Sequence, residues 1–301
     1  MIKRTLHFGN PAYLKRKDNQ IVVYYPENTS NAPDRTVPIE DVGMLILEHQ
    51  QINISHALIS SLLEHNCAIV FTDTKHMPSG MLLNMQGHTE LSERHILQSQ
   101  ASLPLKKNLW QQTIQAKITN QAVLLQKMGL EYSELKNLIP KVKSGDTDNL
   151  EGRAAAYYWK RLFDAEIGFK RGRYEDAPNN LLNYGYAILR AIVARSLCGS
   201  GLWPALGIHH KSKYNSFCLA DDIMEPYRPY VDQLVCQIID EPEDYSELSA
   251  DIKRKLLVIP ALDVHIDSER SPLMVAMQRT TASLARCLAG ESKKLIYPYL
   301  E

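Results

Sequence analysis

Hydrophobic residues near the start of the chain come in short runs that predict a small sheet. Four segments have the length and the β-branched content expected of strands, and they lie at 2–8, 12–25, 42–48 and 67–73. Polar residues at 17–20 interrupt the second segment and predict a hairpin turn. Between the last two segments, Ser55 precedes Leu58 and Leu62 at helical spacing. One helix with Ser55 as its N-cap is therefore expected among the strands.

From about residue 92 the apolar residues recur with the period of an α-helix. The longest such segments are rich in Ala, Leu, Gln, Lys and Arg, and they lie at 92–103, 105–129, 151–166 and 180–199. Residues 79–92 show no sustained period. We therefore predict an α+β fold, with a small N-terminal β domain holding one or two helices (1–78), a connector (79–92) and a larger all-α C-terminal domain (93–301).

The composition is typical of a folded globular protein. The chain has 301 residues, of which 45% are hydrophobic and 23% charged, so it can bury a large core and is long enough for two domains. No apolar run approaches the roughly 18 residues that a transmembrane helix needs, and charged residues stand where a signal peptide would be apolar. We expect a soluble, cytoplasmic protein that does not bind membranes. The five cysteines are widely spaced and include no CxxC pair, so reduced core thiols are expected.

Positive charge is concentrated locally rather than over the whole chain. Lys and Arg together number 34, as do Asp and Glu, so no global field attracts nucleic acid. The segment 151–175, however, contains six basic and four acidic residues, whereas 240–251 contains six acidic residues and no basic one. The candidate DNA contacts in the first segment are Lys160, Arg161, Arg171 and Arg173. Further candidates, for which a solvated helix face is the simpler interpretation, are Lys106, Lys107, Arg190 and Arg195.

Glu151, in the segment NLEGRAAAYYW, is the first residue with candidate chemistry. At helical spacing it shares a face with Ala155 and Tyr158, which are expected to pack inward. The alternative is a structural role, because Asp148 followed by Glu151 at the third place resembles a capping box.

Two neighbouring histidines follow Gly207 in the segment LGIHHKSKYN. Adjacent side chains of an extended segment point to opposite sides, so at most one of His209 and His210 is expected to serve a given site. A histidine that is simply satisfied by its surroundings is the alternative for either residue. The spacing does not match the HExxH pattern of a zinc site.

An acidic pair lies in the segment LADDIMEPYRPY. Asp222 and Glu225 share a face if the segment is helical, and two carboxylates so close repel each other unless a cation lies between them. Compensation of a helix dipole is the alternative, since Pro226 is suited to a helix start.

Taken together, these residues favour a divalent metal site. Mg²⁺ prefers oxygen ligands and keeps several waters, and one added imidazole makes Mn²⁺ equally acceptable. A glutamate, a histidine and a second acidic residue from three helices or turns would supply such a set. Phosphate oxygens can replace the waters, so that the metal acts as a Lewis acid on a phosphodiester.

The segments 149–159 and 179–229, together with the opening strands, resemble the CRISPR-associated endonuclease and integrase family Cas1, and most closely its type II variety. The resemblance implies an N-terminal β domain and a C-terminal α-helical domain. It also implies metal ligands at the Glu of the LEGxAAxxYW motif, at the His in the third place after Gly207 and at the last acid of the DxxE segment. Carried over by motif, these are Glu151, His210 and Glu225, with Asp222 as a possible additional ligand.

The resemblance further implies a role in CRISPR adaptation. The 3′-OH ends of short foreign DNA would be joined into the repeat array by transesterification, with Mg²⁺ or Mn²⁺ as cofactor. Implied partners are double-stranded DNA from the prespacer and the repeat, a second copy of the chain, and Cas2 in a heterohexamer. The effector nuclease Cas9 and a ring-forming accessory protein are further implied partners. A noncatalytic DNA-binding scaffold, suggested by the basic stretch 153–173, is the alternative hypothesis.

Overall fold

The computed structural model describes residues 3–26, 35–74, 76–163, 168–172, 175–242 and 244–301. The N-terminal part contains eight strands and one helix within these ranges. They are β1 (Arg4–Phe8), β2 (Ala12–Lys17), β3 (Gln20–Tyr24), β4 (Arg35–Pro38), β5 (Val42–Leu47), β6 (Ile52–Ile54), α1 (His56–Glu64), β7 (Ala68–Thr72) and β8 (Pro78–Leu82).

The strands form two four-stranded sheets, in the orders β1-β5-β7-β8 and β4-β3-β2-β6. Strands β1, β5 and β7 are parallel, and β8 is antiparallel to β7. The predicted hairpin turn is confirmed: β2 pairs with β3, and Asp18 and Asn19 between them adopt the left-handed φ values of 49° and 57° that such a turn requires. Helix α1 begins after Ser55 as predicted, although the Ser55 side chain makes no cap hydrogen bond.

The connector expected at 79–92 begins instead with a strand. Strand β8 pairs with β7 in the register Ile69↔Leu82, so residues without any hydrophobic period become part of a sheet. Strands β4 and β6 were likewise not predicted, because each is at most four residues long and acquires its conformation from a neighbouring strand. The division of the chain into two domains at these positions stays a prediction.

The rest of the chain is mainly helical. Its helices are α2 (Leu91–Gln100), α3 (Leu103–Lys127), α4 (Ser133–Leu138), α5 (Leu150–Leu162), α6 (Asn179–Gly199), α7 (Cys218–Met224), α8 (Arg228–Ile239), α9 (Ala250–Leu256) and α10 (Leu273–Leu288). The four helices predicted from periodicity correspond to α2, α3, α5 and α6, although positions 164–166 of the third prediction lie outside the described residues. Helix α6 is buried along most of its length. It packs closely on α8, where a Cβ at Gly185 would lie 2.6 Å from Val231 Cγ1.

The expectation of an all-α C-terminal region is wrong in one respect. Strands β9 (Asp263–Ile266) and β10 (Glu269–Pro272) form an antiparallel hairpin that leads into α10. Asp267 and Ser268 make its turn with φ values of 54° and 64°. Four-residue strands are too short for a period of two to be distinguished from chance, which is why the hairpin was missed.

All five cysteines are buried and free, which confirms the prediction of reduced core thiols. Among the residues that the structure describes, no helix is both long enough and apolar enough to span a membrane.

Candidate active site

Glu151 lies in the first turn of α5, and two neighbouring side chains fix that turn. The carboxylate of Asp146 accepts hydrogen bonds from the backbone N–H groups of Leu150 (2.9 Å) and Glu151 (3.0 Å). Asn149 is the N-cap, and its side chain accepts from Gly152 N–H. The alternative of a capping box from Asp148 is therefore wrong. Asp148 is instead exposed and pairs with Lys143 at 2.7 Å.

Glu225 lies in the short turn that joins α7 to α8. Its side chain is only 6% exposed, and its two oxygens meet two cations, Arg228 Nε at 2.9 Å and Lys117 Nζ at 2.6 Å. Burial raises the pKa of this carboxyl, but the charges of Arg228 and Lys117 outweigh burial and lower the pKa below its usual value. Glu225 is therefore a buried carboxylate, not a carboxylic acid.

Lys117 joins the two predicted glutamates. Its Nζ lies 2.6 Å from Glu151 Oε1 and 2.6 Å from Glu225 Oε2, so carboxylates 74 positions apart in sequence converge on one ammonium group. Burial lowers the pKa of Lys117, but Glu225 and Glu151 together raise it above its usual value, and the group stays charged. Helix α3 thus supplies the cation that Glu151 and Glu225 share, whereas Asp222, the other member of the acidic pair predicted from sequence, holds the turn of His210 instead.

Sequence reasoning missed Lys117, although the sequence contains a signal for it. Lys117 interrupts the apolar face of α3 that includes Trp110, Ile114 and Ile118, and it is 7% exposed. A charged residue in the buried stripe of a helix needs a partner of opposite charge. That requirement could have singled out Lys117, but it could not have named its partners.

His210 is held by Asp222, the residue that had been considered as an additional ligand. The side chains meet through His210 Nδ1 and Asp222 Oδ1 at 2.6 Å. The backbone N–H groups of 208–210 also donate to Asp222, which is completely buried. Both carboxylate oxygens thus hold the turn, and a ring fixed at Nδ1 presents Nε2 as the atom that can bind a metal. The bond to Asp222 is the main cause that raises the pKa of His210.

The turn that carries His210 requires the glycine before it. A Cβ at Gly207 would lie 2.4 Å from the backbone oxygen of His210 and 2.8 Å from Asp222 Oδ2. Any side chain at this position would therefore force the backbone of the turn or the Asp222 carboxylate to move.

The two neighbouring histidines have different surroundings. His209 stacks flat on Trp110, with ring centroids 4.1 Å apart, whereas His210 meets the same indole edge-on at 5.8 Å. Burial lowers the pKa of His209, which favours its neutral form. Of the two rings, only that of His210 is oriented by a carboxylate, and the assignment of His210 as the metal ligand stays a prediction.

The donor types at this location fit Mg²⁺ or Mn²⁺. Glu151 and Glu225 share one cation, and the negative charge of Glu225 helps to raise the pKa of His210. Oε2 of Glu225 is buried and has no hydrogen bond of good geometry. Two carboxylates and one imidazole are ligands that these metals accept. As they stand, however, no three His, Cys, Asp or Glu side chains in the described part of the chain are close enough together to hold a metal ion. Lys117 is the group that lies between the carboxylates.

Several of the basic residues proposed as DNA contacts have partners within the protein. Arg195 is 2% exposed and donates to the backbone oxygen of Asn66, so it joins α6 to the N-terminal part, and its interpretation as a solvated side chain is wrong. The remaining partners are Asn179 and Asn183 for Arg171, Asp221 for Arg190 and the ring of Tyr157 for Arg161. Lys107 and Lys160 are exposed, Lys106 is partly exposed, and Arg173 lies outside the described residues.

Comparisons with known sequences identify similar proteins. The chain matches the protein family described as CRISPR associated protein Cas1 over residues 7–247. It is 35% identical to the CRISPR-associated endonuclease Cas1 of Neisseria meningitidis serogroup C over 297 residues, which are 98% of this chain and 95% of that protein. It is 32% identical to a CRISPR-associated endonuclease Cas1 of Saccharolobus solfataricus over 236 residues, or 76% of this chain and 72% of that protein.

Solved structures share the fold. A casposase bound to integration product has a TM-score of 0.80 at 20% identity, covering 98% of this chain and 92% of that one. A CAS1 protein from Thermotoga maritima has a TM-score of 0.75 at 16% identity, covering 96% and 98% of the two chains. A chain of a Cas6-RT-Cas1–Cas2 complex has a TM-score of 0.75 at 20% identity, covering all of this chain and 36% of that one.

Proposed function

The chain belongs to the Cas1 family of CRISPR-associated proteins, and from this premise we propose that it is a divalent-metal-dependent endonuclease and integrase of CRISPR adaptation. The observation that carries the metal dependence is the convergence of Glu151 and Glu225 on one cation, with the charge of Glu225 acting on His210. Its substrate would be double-stranded DNA, both as the incoming prespacer and as the CRISPR repeat.

Glu151, Glu225 and His210 Nε2 would hold Mg²⁺ or Mn²⁺, which when bound supplies Lewis acidity at a phosphodiester. Asp222 orients the imidazole through Nδ1, so Nε2 is the ring nitrogen that would bind the metal. Arg228 pairs with Glu225 and keeps it ionised in a buried position. Asp146 and Asn149 fix the start of α5 and thereby the backbone position of Glu151.

The reaction would be a transesterification. The 3′-hydroxyl of the incoming DNA forms a new phosphodiester bond with a repeat phosphate and loses its proton, while the 3′-oxygen of the repeat strand leaves and gains one. One phosphodiester forms for each that breaks, so no nucleotide cofactor is needed. The endonuclease activity would use water in place of the 3′-hydroxyl.

Partners are proposed by analogy with relatives of known structure, namely a casposase bound to integration product and a complex that contains Cas1 and Cas2. For this chain we propose a homodimer, two of which bind Cas2 in a heterohexamer on DNA. Cas9 and a ring-forming accessory protein are proposed as additional partners of a type II adaptation complex.

The test is transfer of a short DNA duplex into a repeat-bearing plasmid in Mg²⁺ or Mn²⁺. Glu151→Gln should lower the yield about 100-fold or more, because loss of a ligand should cost more than the about 10–100-fold typical of outer-shell partners. The matched control is Glu241→Gln, which removes the same charge at an exposed site where Glu241 pairs with Lys255, and it should retain wild-type yield. Undiminished strand transfer by Glu151→Gln would contradict the proposal.

The scaffold alternative makes the opposite prediction for the same experiment. It requires that Glu151→Gln and His210→Ala leave integration by the assembled complex unchanged. Within the basic stretch on which this alternative rests, Arg171 donates to Asn179, Asn183 and the backbone oxygen of Gly172, whereas Arg153 and Lys160 are exposed.

A further inference from the structure

Lys117 occupies a position that a divalent metal ion would need. Its Nζ lies 2.6 Å from one oxygen of Glu151 and 2.6 Å from one oxygen of Glu225, so the two oxygens are no further apart than twice that distance. Mg²⁺ binds carboxylate oxygens at about 2.0–2.1 Å. Because an ammonium group and a divalent ion repel and cannot fill the same gap, either Lys117 or the metal can bridge these oxygens, but not both.

We propose that Lys117 is a built-in placeholder for the metal: it holds Glu151 and Glu225 together in the metal-free protein and leaves the gap when the divalent ion binds. This inference rests on the proposed metal-dependent function and goes beyond it by assigning a positioning role to a residue on α3. Lys117 thereby sets the metal affinity of the site.

The charges of the cluster support this exchange. Two carboxylates, on Glu151 and Glu225, face two cations, on Lys117 and Arg228, so the four side chains sum to zero. Adding a divalent ion to a neutral, mostly buried cluster would leave two uncompensated positive charges, which is costly at low dielectric. Departure of one resident cation lowers that cost.

Of the two cations, Lys117 is the one suited to leave. Arg228 belongs to the same turn and helix start as Glu225, and its guanidinium lies 4.6 Å from the centre of the Tyr186 ring. Lys117 reaches the site from another helix on a flexible four-carbon stem, and one of its partners, Glu151, is 28% exposed. A lysine ammonium is also a point charge without the fixed paired geometry of a guanidinium, so it is released more easily.

A second buried lysine shows what a structural ion pair looks like in this protein. Lys253 pairs with Glu48, whose carboxylate also contacts His7 and His76, so several basic groups surround one acid. At Lys117 the arrangement is reversed, because one base holds two acids. Removing Lys253 leaves Glu48 with other partners, whereas removing Lys117 takes away the group that bridges Glu151 and Glu225.

The experiment compares Mn²⁺ binding to Lys117→Met and to the wild-type protein by isothermal titration calorimetry, together with the melting temperature with and without Mn²⁺. Without the ammonium group the two carboxylates repel each other, so Lys117→Met without metal should have a lower melting temperature than the wild type. It should bind Mn²⁺ about tenfold more tightly than the wild type, and Mn²⁺ should raise its melting temperature by more than it raises that of the wild type. Lys253→Met is the matched control: it should melt lower but bind Mn²⁺ with wild-type affinity.

The other possible outcomes of this experiment also support or contradict the proposal. If folded Lys117→Met binds Mn²⁺ with unchanged or weaker affinity than the wild type, Lys117 is only a structural partner and the inference is wrong. If Lys117→Met and Lys117→Gln fold only when Mn²⁺ is present, the placeholder role is supported; if neither folds even then, it is contradicted. If the wild type and Lys117→Met both fail to bind Mn²⁺, the metal dependence under the proposed function fails instead.

Discussion

At the scale of single residues, the candidate site depends on charged side chains with several partners each. Asp222 has no exposed surface and receives three backbone hydrogen bonds in addition to its bond with His210. The motif that singled out Glu151, His210 and Glu225 is a local pattern and could be recognised in the sequence. The role of Asp222 could not, because it depends on a turn twelve residues away folding back onto α7.

The bond between Asp222 and His210 should be visible in the pH dependence of activity. It raises the pKa of His210 above 6.5, and only the neutral imidazole can bind a metal, so wild-type strand transfer should rise with pH through that pKa. Asp222→Asn should lower the pKa, move the acid limb of the rate profile to lower pH and reduce the maximal rate about 10–100-fold. The profile is measured as initial rate against pH. A variant profile that keeps the wild-type acid limb would show that this bond does not set the protonation of His210.

At the scale of secondary structure, helices α3 and α5 and the turn between α7 and α8 bring the site together. Helices were predictable from sequence wherever a hydrophobic period extends over several turns, as in α3 and α6. Short elements such as β9 and β10 were missed because their conformation comes from pairing with each other and packing under α10. The capping role at α5 was also assigned to the wrong residue: the N-cap Asn149 and the nearby Asp146 accept the hydrogen bonds of the first turn, although Asp148 looks equally suitable in sequence.

The two aspartates before α5 should therefore differ in their contribution to stability. Asp146→Ala removes the acceptor for two backbone N–H groups and should lower the free energy of unfolding by about 1–2 kcal/mol. Asp148→Ala removes an exposed charge paired with Lys143 and should change it by less than about 1 kcal/mol. Urea denaturation of both variants measures the difference, and equal losses would mean that the hydrogen bonds to Asp146 do not stabilise the first turn of the helix.

At the scale of the whole molecule, a cluster of basic side chains around the buried carboxylate of Glu48 joins the sheet to the helical part. Glu48, directly after β5, contacts His7 on β1, His76 before β8 and Lys253 on α9. Burial raises the pKa of Glu48, but the hydrogen bonds from His7 and Lys253 outweigh burial and lower the pKa to about 2. Residues so distant in sequence carry no common pattern, which is why this cluster could not be predicted, although Glu48 was visible at the end of a strand.

The Glu48 cluster predicts a specific dependence of stability on pH. The pKa of Glu48 in the folded protein lies below its ordinary value of 4.5, so its stabilisation is fully present above pH 4.5 and is lost as the pH falls towards 2. Glu48→Gln should lower the free energy of unfolding by about 3 kcal/mol at neutral pH, because it leaves the buried ammonium group of Lys253 without its carboxylate partner. The deficit should shrink as the pH falls below 4.5. Denaturation curves at several pH values measure it, and a deficit independent of pH would contradict this role.

Whether Glu151, Glu225 and His210 form one metal site can be tested most directly by locating the ion. Crystals grown with Mn²⁺ would be measured near the manganese absorption edge for anomalous scattering. We expect one strong peak bounded by the carboxylate oxygens of Glu151 and Glu225 and by Nε2 of His210, with Lys117 Nζ displaced from its present position. A fully occupied Mn²⁺ site elsewhere, with Lys117 still bridging the two glutamates, would contradict the proposed mechanism.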